Sequence, residues 1–148
     1  MAQAQTTKFG KFKIYVEATA GSGTFIAPCG LTQKSFDLSA SANEDTIPDC
    51  DDPDAPAWVA RTVASLSAGV SGQGVWDGDA YATWRALFLA AESFNVRIEF
   101  DETGANGGGY YEGAMVLTAL GNSASIGQRV QASVTLASDG PLTWVAAA

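Results

Sequence analysis

Residues 58–101, WVARTVASLSAGVSGQGVWDGDAYATWRALFLAAESFNVRIEFD, read as strand, turn, helix, strand. Trp58, Ala60, Thr62, Ala64, Leu66, Ala68 and Val70 fall at every second position, with Val59, Arg61, Val63, Ser65, Ser67 and Ser71 between them. That period predicts a long strand with one better-buried face. Gly69, Gly72 and Gly74 weaken its far end and predict a bend or bulge there. Asp77 and Asp79 supply an N-cap and a first-turn carboxylate where the helix dipole favours them. From Ala80 to Ser93, Tyr81, Trp84, Leu87, Phe88 and Ala91 recur at helical spacing, while Ala82, Ala86 and Leu89 leave the opposite side only weakly polar. A helix apolar nearly all round expects cover on two sides. Phe94, Val96, Ile98 and Phe100 then alternate with Asn95, Arg97, Glu99 and Asp101, the cleanest strand pattern in the chain.

At 148 residues the chain reads as a single domain, 1–148, able to bury roughly two thirds of its extended surface. Charged residues make up 16%, below the usual level of about 25%. There is no histidine, which removes the commonest general base and metal ligand. The net charge of −8 disfavours nucleic-acid affinity, because phosphate binding is driven by Lys and Arg. The first residues carry no apolar run, so no signal peptide is expected, and no segment approaches the roughly 20 apolar residues of a membrane helix. These features predict a soluble chain made in the cytoplasm. Cys29 and Cys50 read as two reduced thiols in that compartment, although their number permits a disulfide.

Along the chain, residues 1–9 form a polar N-terminal leader. Phe12 to Ala18 alternates as a first strand, Thr24 to Ala27 is a short apolar piece, and Leu31 to Ala40 is extended. Residues 41–57 hold Glu44, Asp45, Asp49, Asp51, Asp52 and Asp54 with no Lys or Arg, plus prolines 48, 53 and 56. They predict a long acidic loop, neither helix nor central strand. Glu102 to Gly109 is a glycine-rich hairpin connection, Tyr110 to Leu120 a strand, and Gly121-Asn122 a turn. Ile126 to Leu136 alternates as another strand, and Asp139-Gly-Pro141 leads into a last one, Leu142 to Val145. Six or seven strands at hairpin spacing with one helix describe a mainly β fold. The expected form is a β-sandwich or partial barrel of antiparallel sheets flanked by one α-helix.

No motif carries catalysis. Residues 49–54, DCDDPD, lack the glycine and terminal glutamate of a calcium loop. Asp77 and Asp79 are explained more economically by capping than as a glycosidase pair. The glycines at 69, 72 and 74 have neither dinucleotide-loop nor P-loop spacing. Tyr110 and Tyr111 could stack on sugar rings, but such residues more often pin a strand pair. The expectation is no catalytic residue, no metal and no cofactor.

One pattern does stand out. Residues 29–34 (CGLTQK), 47–58 (IPDCDDPDAPAW), the strand–helix–strand after them and 137–144 (ASDGPLTW) together resemble the major tail tube proteins. These belong to long, flexible-tailed bacteriophages and to gene transfer agent particles. The likeness runs from about Lys11 onward. It implies a non-enzymatic virion subunit forming six-membered rings that stack into a tube for DNA. Four strands from each of six copies would make a barrel of about 24, and 16–18 already leave an aqueous channel. An acidic wall would let DNA slide without sticking.

The resemblance further implies a lumen lined by the polar faces of four strands, nominating Asp37, Ser39, Ser65, Ser67, Gln131 and Ser133. Arg61 and Arg129 are awkward there and are expected to be paired with carboxylates or placed at subunit boundaries. The acidic loop, with Glu44, Asp45, Asp49, Asp51, Asp52 and Asp54, would reach the adjacent ring and meet Lys8, Lys11 and Lys13. Implied partners are further copies of the chain and the tail terminator, distal tail and tape-measure proteins. DNA would pass without specific binding, and no membrane is involved. The other reading is a virion decoration or carbohydrate-binding β-sandwich module using exposed aromatics.

Overall fold

A computed structural model describes residues 3–4 and 6–148; Met1, Ala2 and Gln5 of the expected leader lie outside them. The elements in chain order are β1 (Phe12–Glu17), β2 (Phe25–Ile26), β3 (Leu31–Ile47), β4 (Trp58–Val75), α1 (Gly78–Ala90), β5 (Phe94–Phe100), β6 (Gly109–Ser123), β7 (Gln131–Ser138) and β8 (Thr143–Ala146). All pairings among them are antiparallel, in the order β2-β1-β5-β6-β7-β4-β3, with β8 also on β6. The β2 and β3 ends do not meet, so the result is the expected antiparallel partial barrel flanked by a helix.

Strand β6 joins two layers. Its first half, Gly109 to Met115, pairs with β5, and Gly109 to Glu112 also takes β8. Its second half, Met115 to Ser123, pairs with β7. The layers close on Ile14, Val16, Val96, Ile98 and Met115 from one side and Val70, Val134 and Leu136 from the other. Trp84 and Leu87 of α1 complete that core. Core packing of this kind is the main source of stability, at roughly 1.5–3 kcal/mol per fully buried large side chain.

The register explains both faces of the β3-β4-β7-β6 layer. Phe36, Val70, Leu136 and Leu117 form one row across the four strands, on the core side. Ser35, Ser71, Thr135 and Ala119 form a neighbouring row on the outer side. Gly74 sits at a close approach of β4 to the residues before β3, because a Cβ there would collide with the Gly30 carbonyl oxygen. The bend expected near these glycines is a register shift in β3 between Leu31 and Gln33.

Several expectations are corrected. Residues 41–47 are strand, since β3 continues to Ile47 in register with β4, and only residues 48–57 connect the two. The carboxylates at Glu44 and Asp45 tolerate a strand because both sit exposed on a two-stranded ribbon, with Glu44 opposite Arg61. The alternation from Trp58 to Val70 breaks at Ala64, where the register steps from Ser41/Ser65 to Ala42/Val63. An extra residue in one strand turns the following side chains to the other face. Val63 and Val59 therefore share the side of Leu66 and Val70, while Trp58 and Ala60 join Ser65 and Ser67.

Gly121-Asn122 is no turn: Gly121 pairs with Ser133 and Asn122 with Ala132 inside β6. Ile126 to Val130 is no strand, because the chain turns there, with Gly127 at φ +82° and Gln128 N–H donating to the Ser125 carbonyl at 3.1 Å. The helix starts at Gly78 rather than Ala80 and ends at Ala90, capped by Ala91 at a φ of 55°. Asp77 occupies the N-cap position but makes no side-chain capping bond. Glu17, in the alternating polar set of β1, is buried: it accepts from the backbone N–H of Gly23 and of Asn95, both at 2.7 Å.

Candidate subunit interface

From Leu38 onward the β3–β4 hairpin leaves the body as an arm. β4 pairs with β7 only from Gly69 to Val75, and Ser138 Oγ accepts the Ala68 N–H at 3.0 Å where β7 departs. Beyond that point β3 and β4 have only each other. At roughly 3.3 Å per residue, 17- and 18-residue strands reach about 55 Å. Every residue from Asp37 to Asp54 and from Trp58 to Ser67 is exposed.

The six nominated residues Asp37, Ser39, Ser65, Ser67, Gln131 and Ser133 all stand on one face, the outer side of the β3-β4-β7-β6 layer. Ser39 and Ser67 pair directly, with their hydroxyls 2.7 Å apart. Ser35 and Ser71 pair likewise and belong to the same face, a continuation of the period that the nominations stopped short of. No Lys or Arg occurs at the register positions of this face from Gln33 to Asp45, from Thr62 to Gln73 or along β7. Arg61 lies on the other side of the ribbon through the Ala64 bulge, its Nε donating to Glu44 Oε1 at 3.0 Å. Arg129 sits in the loop before β7.

The layer has two open edges among the described residues. β3 ends the strand order along its whole length. Residues 116–123 of β6 pair with β7 on one side and with no described strand on the other. Open edges of this length are templates for further pairing.

The acidic group divides in two. Glu44 and Asp45 lie in β3, whereas Asp49, Asp51, Asp52 and Asp54 lie in the connection at the arm's tip. Asp49 organises that tip by accepting the Asp51 N–H at 2.8 Å. Ile47 and Trp58, paired at the end of the ribbon, are exposed, Trp58 by 91%. The basic group is partly neutralised within the chain: Lys11 is 3.6 Å from Glu102 and Lys13 is 3.1 Å from Asp101. The hydrogen bond to Asp101, with the nearby charges of Tyr15 and Asp101, raises the Lys13 ammonium above its ordinary value. Burial, with repulsion from Lys13 second, lowers Lys34, whose ammonium donates to the Phe12 carbonyl at 3.0 Å. Lys8 is exposed and makes no ion pair among the described residues.

Cys29 and Cys50 are both free and exposed. Among the described residues no cluster of His, Cys, Asp or Glu is arranged to hold a metal ion, and no helix is long and apolar enough to cross a membrane. Tyr111 packs inward on Phe36 and Trp144, at centroid distances of 5.2 and 4.7 Å, and Tyr110 covers the Arg97 guanidinium at 4.5 Å. Both rings are half-buried and make these contacts within the fold.

The phage tail tube protein family matches the chain over residues 6–144. Among solved structures, the tail of an empty gene transfer agent particle refined with C6 symmetry is 20% identical. That match covers 95% of this chain and all (100%) of that chain, with a TM-score of 0.80. A subunit of the native gene transfer agent virion is 19% identical over 95% of this chain and 100% of its own, with a TM-score of 0.76. The SPP1 tail tube is 11% identical over 95% of this chain and 80% of its own, with a TM-score of 0.63. No curated protein matches.

Proposed function

This chain belongs to the phage tail tube protein family, a structural and non-enzymatic one, and we propose that it builds hexameric rings that stack into a DNA-conducting tail tube. The observation that carries the proposal is the β3-β4-β7-β6 layer, which is open at both edges and bears an outer face free of cations. An even number of antiparallel strands leaves β3 and β6 running in opposite directions. The β6 edge of one copy can therefore continue antiparallel onto the β3 edge of the next. Such a joint is heterologous and closes into a ring when its rotation divides a full turn. Six copies contribute about 24 strands, enough to enclose a wide channel. The C6 symmetry of the gene transfer agent tail supports six as the number.

In that ring the serine face lines the channel. Asp37, Ser39, Ser65, Ser67, Gln131 and Ser133 present hydroxyls, an amide and a carboxylate to passing phosphates, with no cation to release counterions and hold the DNA. The arm projects from the ring, and its acidic tip meets the Lys8, Lys11 and Lys13 region of a copy in the adjacent ring. Lys8 carries most of that attraction, because Lys11 and Lys13 already have partners. The tube's ends meet the terminator, distal tail and tape-measure proteins, and the subunits are made in the host cytoplasm. Helical reconstruction of tubes grown from the purified chain tests the reading. Six subunits per ring with Asp37 and Ser133 on the channel wall support it; the same face turned outward overturns it.

A further inference from the structure

Strands β1, β5, β6 and β8 bring Phe12, Phe100, Tyr111 and Trp144 together at one end of the body. Phe100 stacks on Phe12 at 5.2 Å between centroids and meets Trp144 at 6.5 Å, and Trp144 meets Tyr111 at 4.7 Å. Phe36 of β3 approaches Tyr111 from the other layer at 5.2 Å. Between Phe36, Leu38, Phe100, Tyr111 and Trp144 an open groove of about 410 Å³ remains, and Trp144 is 44% exposed.

Cations border this groove. Lys34 stands two residues before Phe36 on the same side of β3. It reaches across to β1, donating to the Phe12 carbonyl at 3.0 Å and lying 4.5 Å from the centre of the Phe9 ring. Phe9 is 53% exposed, and Lys8 precedes it. Asp101 and Glu102, which follow Phe100, are held by Lys13 and Lys11. Lys8 and Lys34 have no carboxylate partner among the described residues. The groove is aromatic, and its rim has two ammonium groups to offer.

The tip of the arm has the matching character. The Trp58 indole is bare beside Ile47. The connection next to it, residues 48–57, holds Asp49, Asp51, Asp52 and Asp54 and no Lys or Arg. The tip does not reach its own groove. Leu38 on the groove wall and Ile47 at the tip are nine residues apart along one strand, about 30 Å. A seat for Trp58 in such a groove therefore belongs to another copy.

We infer that Trp58 of one copy anchors its arm by seating the indole between Phe36, Phe100 and Trp144 of a copy in the adjacent ring, with the tip carboxylates against Lys8 and Lys34. The inference rests on the reading that the arm reaches the adjacent ring, and it names the anchor and its seat. Aromatic anchors sunk into pockets carry most of the binding energy at protein interfaces, and aromatic rings favour tilted or offset neighbours. The carboxylates add specificity. Lys34, held below its ordinary value by burial and then by Lys13, gains the negative neighbour that it lacks within its own chain.

Hydroxyl-radical footprinting of wild-type monomer and tubes tests it, with a Trp58→Ala chain alongside. Trp58 and Trp144 are expected to be labelled severalfold less in tubes than in monomer. The Trp58→Ala chain should fold as before, because the residue is exposed, yet need at least tenfold more protein for tube growth. Trp58→Phe should recover part of that loss. Tubes in which Trp58 is protected while Trp144 is labelled as in monomer overturn the inference and leave the arm's contact with the adjacent ring intact. Tubes with Trp58 as reactive as in monomer, or a wild-type chain that forms no tube at any concentration, overturn both. Trp58→Ala tubes that grow at the wild-type concentration with Trp144 still protected show another segment in the groove and overturn the inference as well.

Discussion

The two ends of the β3–β4 hairpin make the same antiparallel pairing but live in different surroundings. At the root, Val70 is buried between Phe36 and Leu136, and β7 flanks β4. Toward the tip, Leu66 has the same kind of side chain on the same side of the ribbon and is 81% exposed. Backbone pairing is therefore not what separates a stable region from a marginal one, since a two-stranded hairpin alone barely holds in water. Burial separates them: the root has it within the chain and the arm does not.

The largest effect expected on either side of this comparison comes from the body. Phe94→Ala empties a fully buried site and should destabilise the monomer by about 3–5 kcal/mol in chemical denaturation. Glu17→Ala follows, at roughly 2–5 kcal/mol, because the Gly23 and Asn95 amides lose their acceptor in a buried place. A loss near zero for Glu17→Ala would mean that water reaches those amides and that the β1–β2 corner is looser than the body.

Deleting Ala64 sharpens the comparison from the arm's side. Removing the extra residue makes the ladder regular and leaves Val63 and Val59 on the side of Leu66, so tube formation should survive, as judged by electron microscopy. Monomer stability should change by less than about 1 kcal/mol, the range of surface changes away from packed features. Leu66→Ala should cost the monomer no more than about 0.5 kcal/mol while raising the concentration needed for assembly. A loss comparable to Phe94→Ala would show that the arm folds onto its own body. Smallest of all is Glu44→Gln: the Arg61 pair is exposed on both sides and is worth about 0.5 kcal/mol or less, vanishing in high salt.

The same contrast governs what was legible in the sequence. Strand β5 reads plainly because one of its faces is fully buried, so Phe94, Val96 and Ile98 alternate strictly with polar neighbours. The six serine-face residues fall on one side of their layer through period two alone. Residues 41–47 read as loop because a strand held only by its partner carries no burial pattern of its own; Glu44 answers to Arg61, a long way off in sequence. The bulge at Ala64 leaves no local mark either, since alanine fits both faces. At Ile126 the alternation was accidental: Gly127 takes a positive φ and the chain turns, leaving Ile126 fully exposed. Periodicity reports burial, and where a segment has none within the chain the pattern is absent or misleading.

Hydrogen exchange measured on the dilute monomer and on assembled tubes tests the central claim most directly. The account predicts that amides of residues 38–47 and 58–67 exchange far faster than those of β5 in the monomer and become protected in the tube. Arm amides as protected as β5 in the monomer, or unprotected in the tube, would contradict it.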